Sequence, residues 1–184
     1  PDLKYLDSCY KNLSRINLHN KIIILESTVY PGVTKKFADQ LISKNSNYKI
    51  GKNIFFGYSP ERENPGDKNF SYQTTPKVVS GYTNTCLELV QNTYKIISKK
   101  VFSTNTLEEA ETSKLLENLY RSINIALVNE MKLICDRLKI DVHKVIETAA
   151  TKNFGFQKFI PGPGLGGHCI PIDPHYLSWI VKKK

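Results

Sequence analysis

The run Pro161-Gly162-Pro163-Gly164-Leu165-Gly166-Gly167-His168-Cys169-Ile170-Pro171-Ile172-Asp173-Pro174 puts four glycines, four prolines and one cysteine into fourteen residues. Proline fixes φ and removes a backbone donor, so the run can be neither a helix nor a central strand. Glycine opens positive φ and lets another molecule approach the backbone closely. The chain must therefore carry a stiff, shaped loop here. It holds one thiol, Cys169, with a carboxylate, Asp173, four residues on.

Three chemical readings compete for this loop. Gly162-x-Gly164-x-x-Gly167 matches the dinucleotide fingerprint in form, but that fingerprint needs a strand before it and a helix opening after it, and prolines flank this one on both sides. His168, Cys169 and His175 suggest a metal site. Adjacent ligands in a proline-locked loop, with no Cys-x-x-Cys elsewhere, argue against it, so no metal is assigned. The third reading is a reactive cysteine in a glycine-lined pocket. A structural loop with a free thiol is the plain alternative, since a free cysteine is usually a small core residue.

The chain of 184 residues, 40% hydrophobic, is long enough for one large domain or one and a half small ones. No apolar run approaches a membrane span and no signal peptide is visible. Pro1 opens directly into helix-like sequence, so the chain reads as a piece of a longer protein. Cys9, Cys86, Cys135 and Cys169 lie far apart without pattern. That suits reduced thiols and a cytoplasmic location rather than a disulfide framework. The net charge of +9 is spread over scattered lysines with no basic run interleaved with aromatics. It therefore reads as a solvated lysine-rich surface, with neither nucleic acid nor membrane as partner.

Residues 2–15 have apolar positions at helical spacing. Lys21-Ile22-Ile23-Ile24-Leu25-Glu26 is a continuous β-branched run, as expected of a parallel strand buried on both faces. It ends in Ser27-Thr28-Val29-Tyr30-Pro31-Gly32, with Pro31 suited to the first turn of a helix reaching about Ser43. Thr28 thus sits where α/β folds place their ligands, although many such threonines only cap a helix. A second strand is predicted over 53–58. A charged, proline-bracketed segment, Ser59 to Asp67, follows it and has the character of a site loop. A strand over 77–81, a helix over 83–98 and a short strand over 101–103 complete the alternation. Strands alternating with helices imply a doubly wound, Rossmann-like parallel sheet. No glycine-rich turn precedes its first strand, so only part of such a domain is present.

At Thr106 the pattern changes. Thr106-Leu107-Glu108-Glu109 is a capping box, and apolar residues recur from Leu115 to Leu138 at helical spacing. So long a helix is a domain-spanning spine or a subunit interface. Two domains follow: residues 1–105, part of the Rossmann-like sheet, and residues 106–184, all-α, with the cysteine loop. A further helix is predicted from Val142, capped by Asp141, and another begins at Tyr176. Lys114, Asn118 and Arg121 share one stripe of the long helix. The stripe is either an ordinary exposed polar face or a lysine, an amide and an arginine presented to an anionic substrate. A lysine beside a cysteine favours the thiolate.

Read in order, Glu26-Ser27-Thr28-Val29-Tyr30-Pro31-Gly32, Ser59-Pro60-Glu61-Arg62-Glu63-Asn64-Pro65-Gly66, Ser113-Lys114-Leu115-Leu116-Glu117-Asn118 and Gly166-Gly167-His168-Cys169-Ile170-Pro171-Ile172-Asp173-Pro174 resemble the UDP-glucose/GDP-mannose dehydrogenase family of nucleotide-sugar 6-dehydrogenases. The stretch Tyr120 to Glu130 and the loop Pro161 to Cys169 look most like the UDP-N-acetylglucosamine branch. The UDP-glucose branch usually has another residue before the cysteine and an acid where Pro65 stands.

The resemblance implies NAD-dependent oxidation of a UDP-sugar C6 alcohol to a carboxylate, in a homodimer joined through the long helix and serving surface polysaccharide synthesis. It implies Cys169 as nucleophile, Lys114 at the developing oxyanion and Asp173 working with it on the alcohol proton. Asn118 would donate to the same oxygen, Glu61 would be base for the hydrolytic water, and Thr28 would lie near the reacting carbon. Arg121, Arg62, His168, Gly164 and Gly166 would contact the substrate, and Ser27, Thr28, Glu61 and Cys169 the cofactor. The family's glycine-rich βαβ unit and a UDP-binding domain would lie outside this sequence, which by itself should turn over little. A β-hydroxyacid-type NAD(P) dehydrogenase using Lys114 and Asn118, or a non-catalytic helical dimerisation module, stand as alternatives.

Overall fold

A computed structural model describes residues 2–62, 73–167 and 170–183. The elements are α1 (Lys4–Leu13), β1 (Lys21–Leu25), α2 (Val33–Ser43), β2 (Ile54–Tyr58), β3 (Lys77–Gly81), α3 (Asn84–Lys95), β4 (Val101–Ser103), α4 (Leu107–Leu138), α5 (Val142–Ala149) and α6 (Asp173–Lys183). The strands form one sheet in the order β1-β2-β3-β4.

The mixed α/β character is as the sequence implies, but the pairing differs in one place. β1 and β2 are parallel, as are β3 and β4, whereas β2 and β3 are antiparallel, with Gly57 opposite Gly81 and Tyr58 opposite Ser80. A parallel return requires a crossover of a dozen or more residues, usually a helix. The segment from Ser59 to Pro76 carries Pro60 and Pro65 and no helical period, so reversal is the cheaper connection. In this chain β1 stands at one end of the strand order, with Lys21 and Ile22 exposed, Ile23 and Ile24 half-buried and Leu25 buried. The paired Gly57 and Gly81 let α3 lie close on the sheet, because a Cβ at Gly81 would meet the Leu87 backbone.

The chain forms two compact units, Pro1–Leu115 with Tyr176–Lys184, and Leu116–His175. In the first unit α2 buries Val33, Phe37, Ala38 and Leu41. Tyr10 of α1 stacks on Phe37 with ring centroids 4.2 Å apart. The start of α4 adds Leu107 and Ala110, and Trp179 of α6 packs on Tyr30. The predicted capping box forms, with Glu109 N–H donating to Thr106 Oγ1 and Thr106 N–H to the Glu109 carboxylate. α4 is 32 residues long, or about 48 Å. In the second unit, Val128 and Cys135 of α4 pack with Val142 and Ile146 of α5, and Phe159 joins them. Asp141 caps α5 by accepting from His143 N–H.

Candidate active site

In the first unit, chemistry-bearing residues gather at one end of the sheet. Glu26, Ser27 and Thr28 follow β1, and Glu61 and Arg62 follow β2, with Glu61 N–H bonded to the Glu26 carbonyl. The reversal of β3 brings its first residue to the same end. Continuing the β2/β3 register sets Lys77 opposite Glu61, and Lys77 Nζ lies 3.0 Å from Glu61 Oε2 and 3.8 Å from Glu26 Oε1. The Lys77 side chain is 2% exposed, while both carboxylates are nearly half exposed. A buried ammonium is tolerable only with such partners. Tyr94 of α3 donates its hydroxyl to Glu26 Oε1 at 2.5 Å, and its ring faces Lys77. Arg62 donates to the Pro76 carbonyl, which ties the end of β2 to the entry of β3. Ser27 is exposed and Thr28 half-buried, and the Tyr58 hydroxyl donates to the Ser27 carbonyl.

The start of α2 is closed by a side chain from α4. Glu111, fully buried, accepts from the Gly32 N–H at 2.6 Å and from the Thr34 N–H and hydroxyl at 2.8 and 2.7 Å. A carboxylate there satisfies orphan amides and complements the helix dipole. Burial raises its pKa, and the three donors offset part of that shift. Gly32 has φ of +94°, which a side chain would strain. Pro31 precedes this cap rather than sitting inside the helix. Helix α2 therefore has no free N-terminus to offer a phosphate.

In the second unit, Asn118 of α4 donates to Asp173 at 2.5 Å, so these two predicted site residues meet. Asp173 is 4% exposed. The other end of the proline-glycine run is also held on α4, through Gly162 N–H to Asn129 Oδ1. Tyr120 bonds Gln157 and packs edge-on against Phe159, which fixes the approach to the run. The anchor points Asn118 and Asn129 are about 16 Å apart along the helix. Gly164 and Gly166 are exposed, with open space where a Cβ would be, and Gly166 and Gly167 take positive φ. Arg121 is exposed on α4 and lines a recess of 620 Å³ with Glu117, Tyr120, Ile125, Lys158 and Phe159. Lys114 is half-buried one turn before Asn118 on the same helix.

His168 and Cys169 lie outside the described residues. Among the described residues, no cluster of three or more His, Cys, Asp or Glu side chains could hold a metal ion. Sequence reading missed two residues of the first unit. Lys77 carries no local signal, because a lysine opening a strand is ordinary until the strand's direction is known. Glu111 did carry one. With Leu107 and Leu115 it makes an i, i+4, i+8 row, so a carboxylate stands on the buried face.

The described residues thus comprise a four-stranded α/β unit and a helical unit, with the long helix α4 running through both. The model of the UDP-glucose/GDP-mannose dehydrogenase family NAD binding domain matches residues 1–98, and that of the family's central domain matches residues 108–184. The chain belongs to the UDP-glucose/GDP-mannose dehydrogenase family. It is 41% identical over 179 residues to Protein CapL of Staphylococcus aureus and 40% identical over 179 residues to a UDP-N-acetyl-D-glucosamine 6-dehydrogenase of Pseudomonas aeruginosa, covering 97% of this chain in each case. It spans 42% of the length of each of these relatives. The solved structure of a UDP-D-ManNAc dehydrogenase from Pyrococcus horikoshii superposes with a TM-score of 0.92 at 32% identity, over 100% of this chain and 44% of that one.

Proposed function

We propose that this chain is the catalytic middle of an NAD-dependent UDP-N-acetylhexosamine 6-dehydrogenase, with UDP-N-acetylglucosamine as its first candidate substrate. The observation that carries the reading is the fastening of the cysteine loop to α4, with Asp173 held on Asn118 one turn beyond Lys114.

In this proposal Asp173, Lys114 and a water take the proton from the C6 alcohol. Bound NAD, two molecules in sequence, supplies the oxidising power by accepting hydride at each of the two oxidations. The Cys169 thiolate adds to the C6 aldehyde to give a thiohemiacetal, whose oxyanion Lys114 and Asn118 stabilise. The second oxidation leaves a thioester. Glu61 takes a proton from water, which attacks the acyl carbon, and the thiolate leaves. One alcohol, one water and two NAD⁺ thus give one carboxylate, two NADH and three protons at neutral pH. Ser27 and Thr28 with Glu61 would hold the nicotinamide end of the cofactor. Arg121, Arg62, His168 and the open backbone at Gly164 and Gly166 would hold the substrate.

The same reading makes the enzyme a homodimer. Leu116, Tyr120, Ile123, Leu127, Met131, Ile134 and Leu138 form one exposed stripe on α4 at steps of three and four residues. That is the spacing of a helix–helix seam. No helix among the described residues is long and apolar enough to cross a membrane. A cytoplasmic place in surface polysaccharide synthesis follows from the proposed product, a nucleotide-linked uronic acid.

The test is product analysis of the intact protein with NAD⁺ and a panel of UDP-glucose, UDP-N-acetylglucosamine, UDP-N-acetylmannosamine and UDP-N-acetylgalactosamine. Two NADH and one uronic acid per N-acetylhexosamine is the expected result. One NADH per substrate, or turnover of β-hydroxyacids instead, overturns the proposal.

A further inference from the structure

The cluster at the end of the sheet contains a cation that the reaction just described does not use. Lys77 is almost wholly buried, yet its ammonium reaches two carboxylates of very different standing. Glu61, at 3.0 Å, is the proposed base for the hydrolytic water, whereas Glu26, at 3.8 Å, already accepts the Tyr94 hydroxyl. The lysine is brought there by the antiparallel turn of β3, whose register sets it opposite Glu61. Its backbone is held in the sheet by pairing with Val101 and its side chain is buried, so the ammonium has little freedom to follow solvent. A surface lysine beside a glutamate would be worth little, since both groups would be hydrated and mobile. A buried one is fixed, and leaving it unpaired is costly.

We propose that Lys77 is a positioning residue for Glu61: its buried ammonium orients the carboxylate and keeps it ionised, so that it is ready to accept a proton from water. This rests on the reading of Glu61 as the hydrolytic base. Among the described residues, the charged and titratable groups around Glu61 are Lys77 from β3, Glu26 from the end of β1, Tyr94 from α3 and the neighbouring Arg62, whose backbone N–H donates to Glu61 Oε1. Lys77 and Glu26 act on Glu61 with opposite sign. The ammonium favours the charged form, while the second carboxylate opposes it and competes for the same cation.

The experiment is the pH profile of kcat for the intact enzyme with UDP-N-acetylglucosamine and NAD⁺, in Lys77→Met, Lys77→Arg, Glu26→Gln and Glu61→Gln. Lys77→Met should lower kcat at least tenfold at neutral pH and move the acid limb up by about one unit. Lys77→Arg should bring the limb back toward wild type. Glu26→Gln should move it down. A purely structural role for Lys77 does not predict shifts of opposite direction. Should Lys77→Met fail to fold, Glu26→Gln decides alone: a downward shift supports the proposal and an unmoved limb overturns it. The proposal also fails if folded Lys77→Met keeps the wild-type rate and limb. A Glu61→Gln enzyme with wild-type kcat would overturn the reading of Glu61 itself, and this proposal with it. An impaired Glu61→Gln beside an unmoved Lys77→Met and Glu26→Gln would overturn only the role of Lys77.

Discussion

Glu111 is a carboxylate in the core with three donors and, among the described residues, no basic side chain paired to it. Glu111→Ala leaves the Gly32 and Thr34 amides and the Thr34 hydroxyl without an acceptor. It should cost about 3 kcal/mol of unfolding free energy in urea titrations. Glu111→Gln keeps one acceptor oxygen but turns an NH₂ toward an N–H, so a smaller loss of about 1–2 kcal/mol is expected. The pH dependence follows from burial. Because the folded-state pKa is raised, the native state binds the proton more tightly than the unfolded chain does. Stability from this group is therefore greatest below the ordinary carboxylate pKa and is lost as pH rises through the raised one. Glu111→Gln should flatten that slope, and a slope unchanged by the substitution would contradict the assignment. Lys77 and Glu111 differ in what the sequence records: the helical row Leu107, Glu111, Leu115 marks Glu111 as facing inward, whereas the partners of Lys77 depend on the direction of β3, which no local pattern records.

At the scale of elements, nearly every helix and strand was legible in the sequence, because each rests on local rules. The β-branched runs, the Thr106 capping box and the Asp141 cap announce their elements residue by residue. Strand direction was not legible, since an apolar five-residue run reads the same whichever way it enters a sheet. Only the lack of a helical period in the sequence between Tyr58 and Lys77 hinted at the reversal of β3. In the candidate site, Asn118 and Asp173 meet across a loop that no local pattern joins to α4, and the pairing of Glu61 with Lys77 depends on the direction of β3. The anchoring of the proline-glycine run is open to test. Asn118→Ala with Asn129→Ala removes both fastenings to α4 and should speed tryptic cleavage after Lys158 several-fold, read by mass spectrometry. Cleavage at the wild-type rate would show that the run is held by something else.

At the scale of the molecule, the exposed stripe on α4 and the site chemistry are separate claims with separate tests. Ile123→Asp with Leu127→Asp puts two charges into the proposed seam. The intact protein should then shift from dimer to monomer in light scattering at micromolar concentration. A dimer that survives both charges would place the interface elsewhere. The chemical claim depends on the sulfur of Cys169 carrying the acyl group, and Cys169→Ser should lower uronic acid formation by three orders of magnitude or more. The most direct measurement is intact-protein and peptide mass spectrometry of Glu61→Gln incubated with NAD⁺ and UDP-N-acetylglucosamine. With the hydrolytic base gone, a uronyl thioester should accumulate on the peptide that contains Cys169 and be released by hydroxylamine. No adduct while acid is still formed, or an adduct on another residue, would contradict the mechanism.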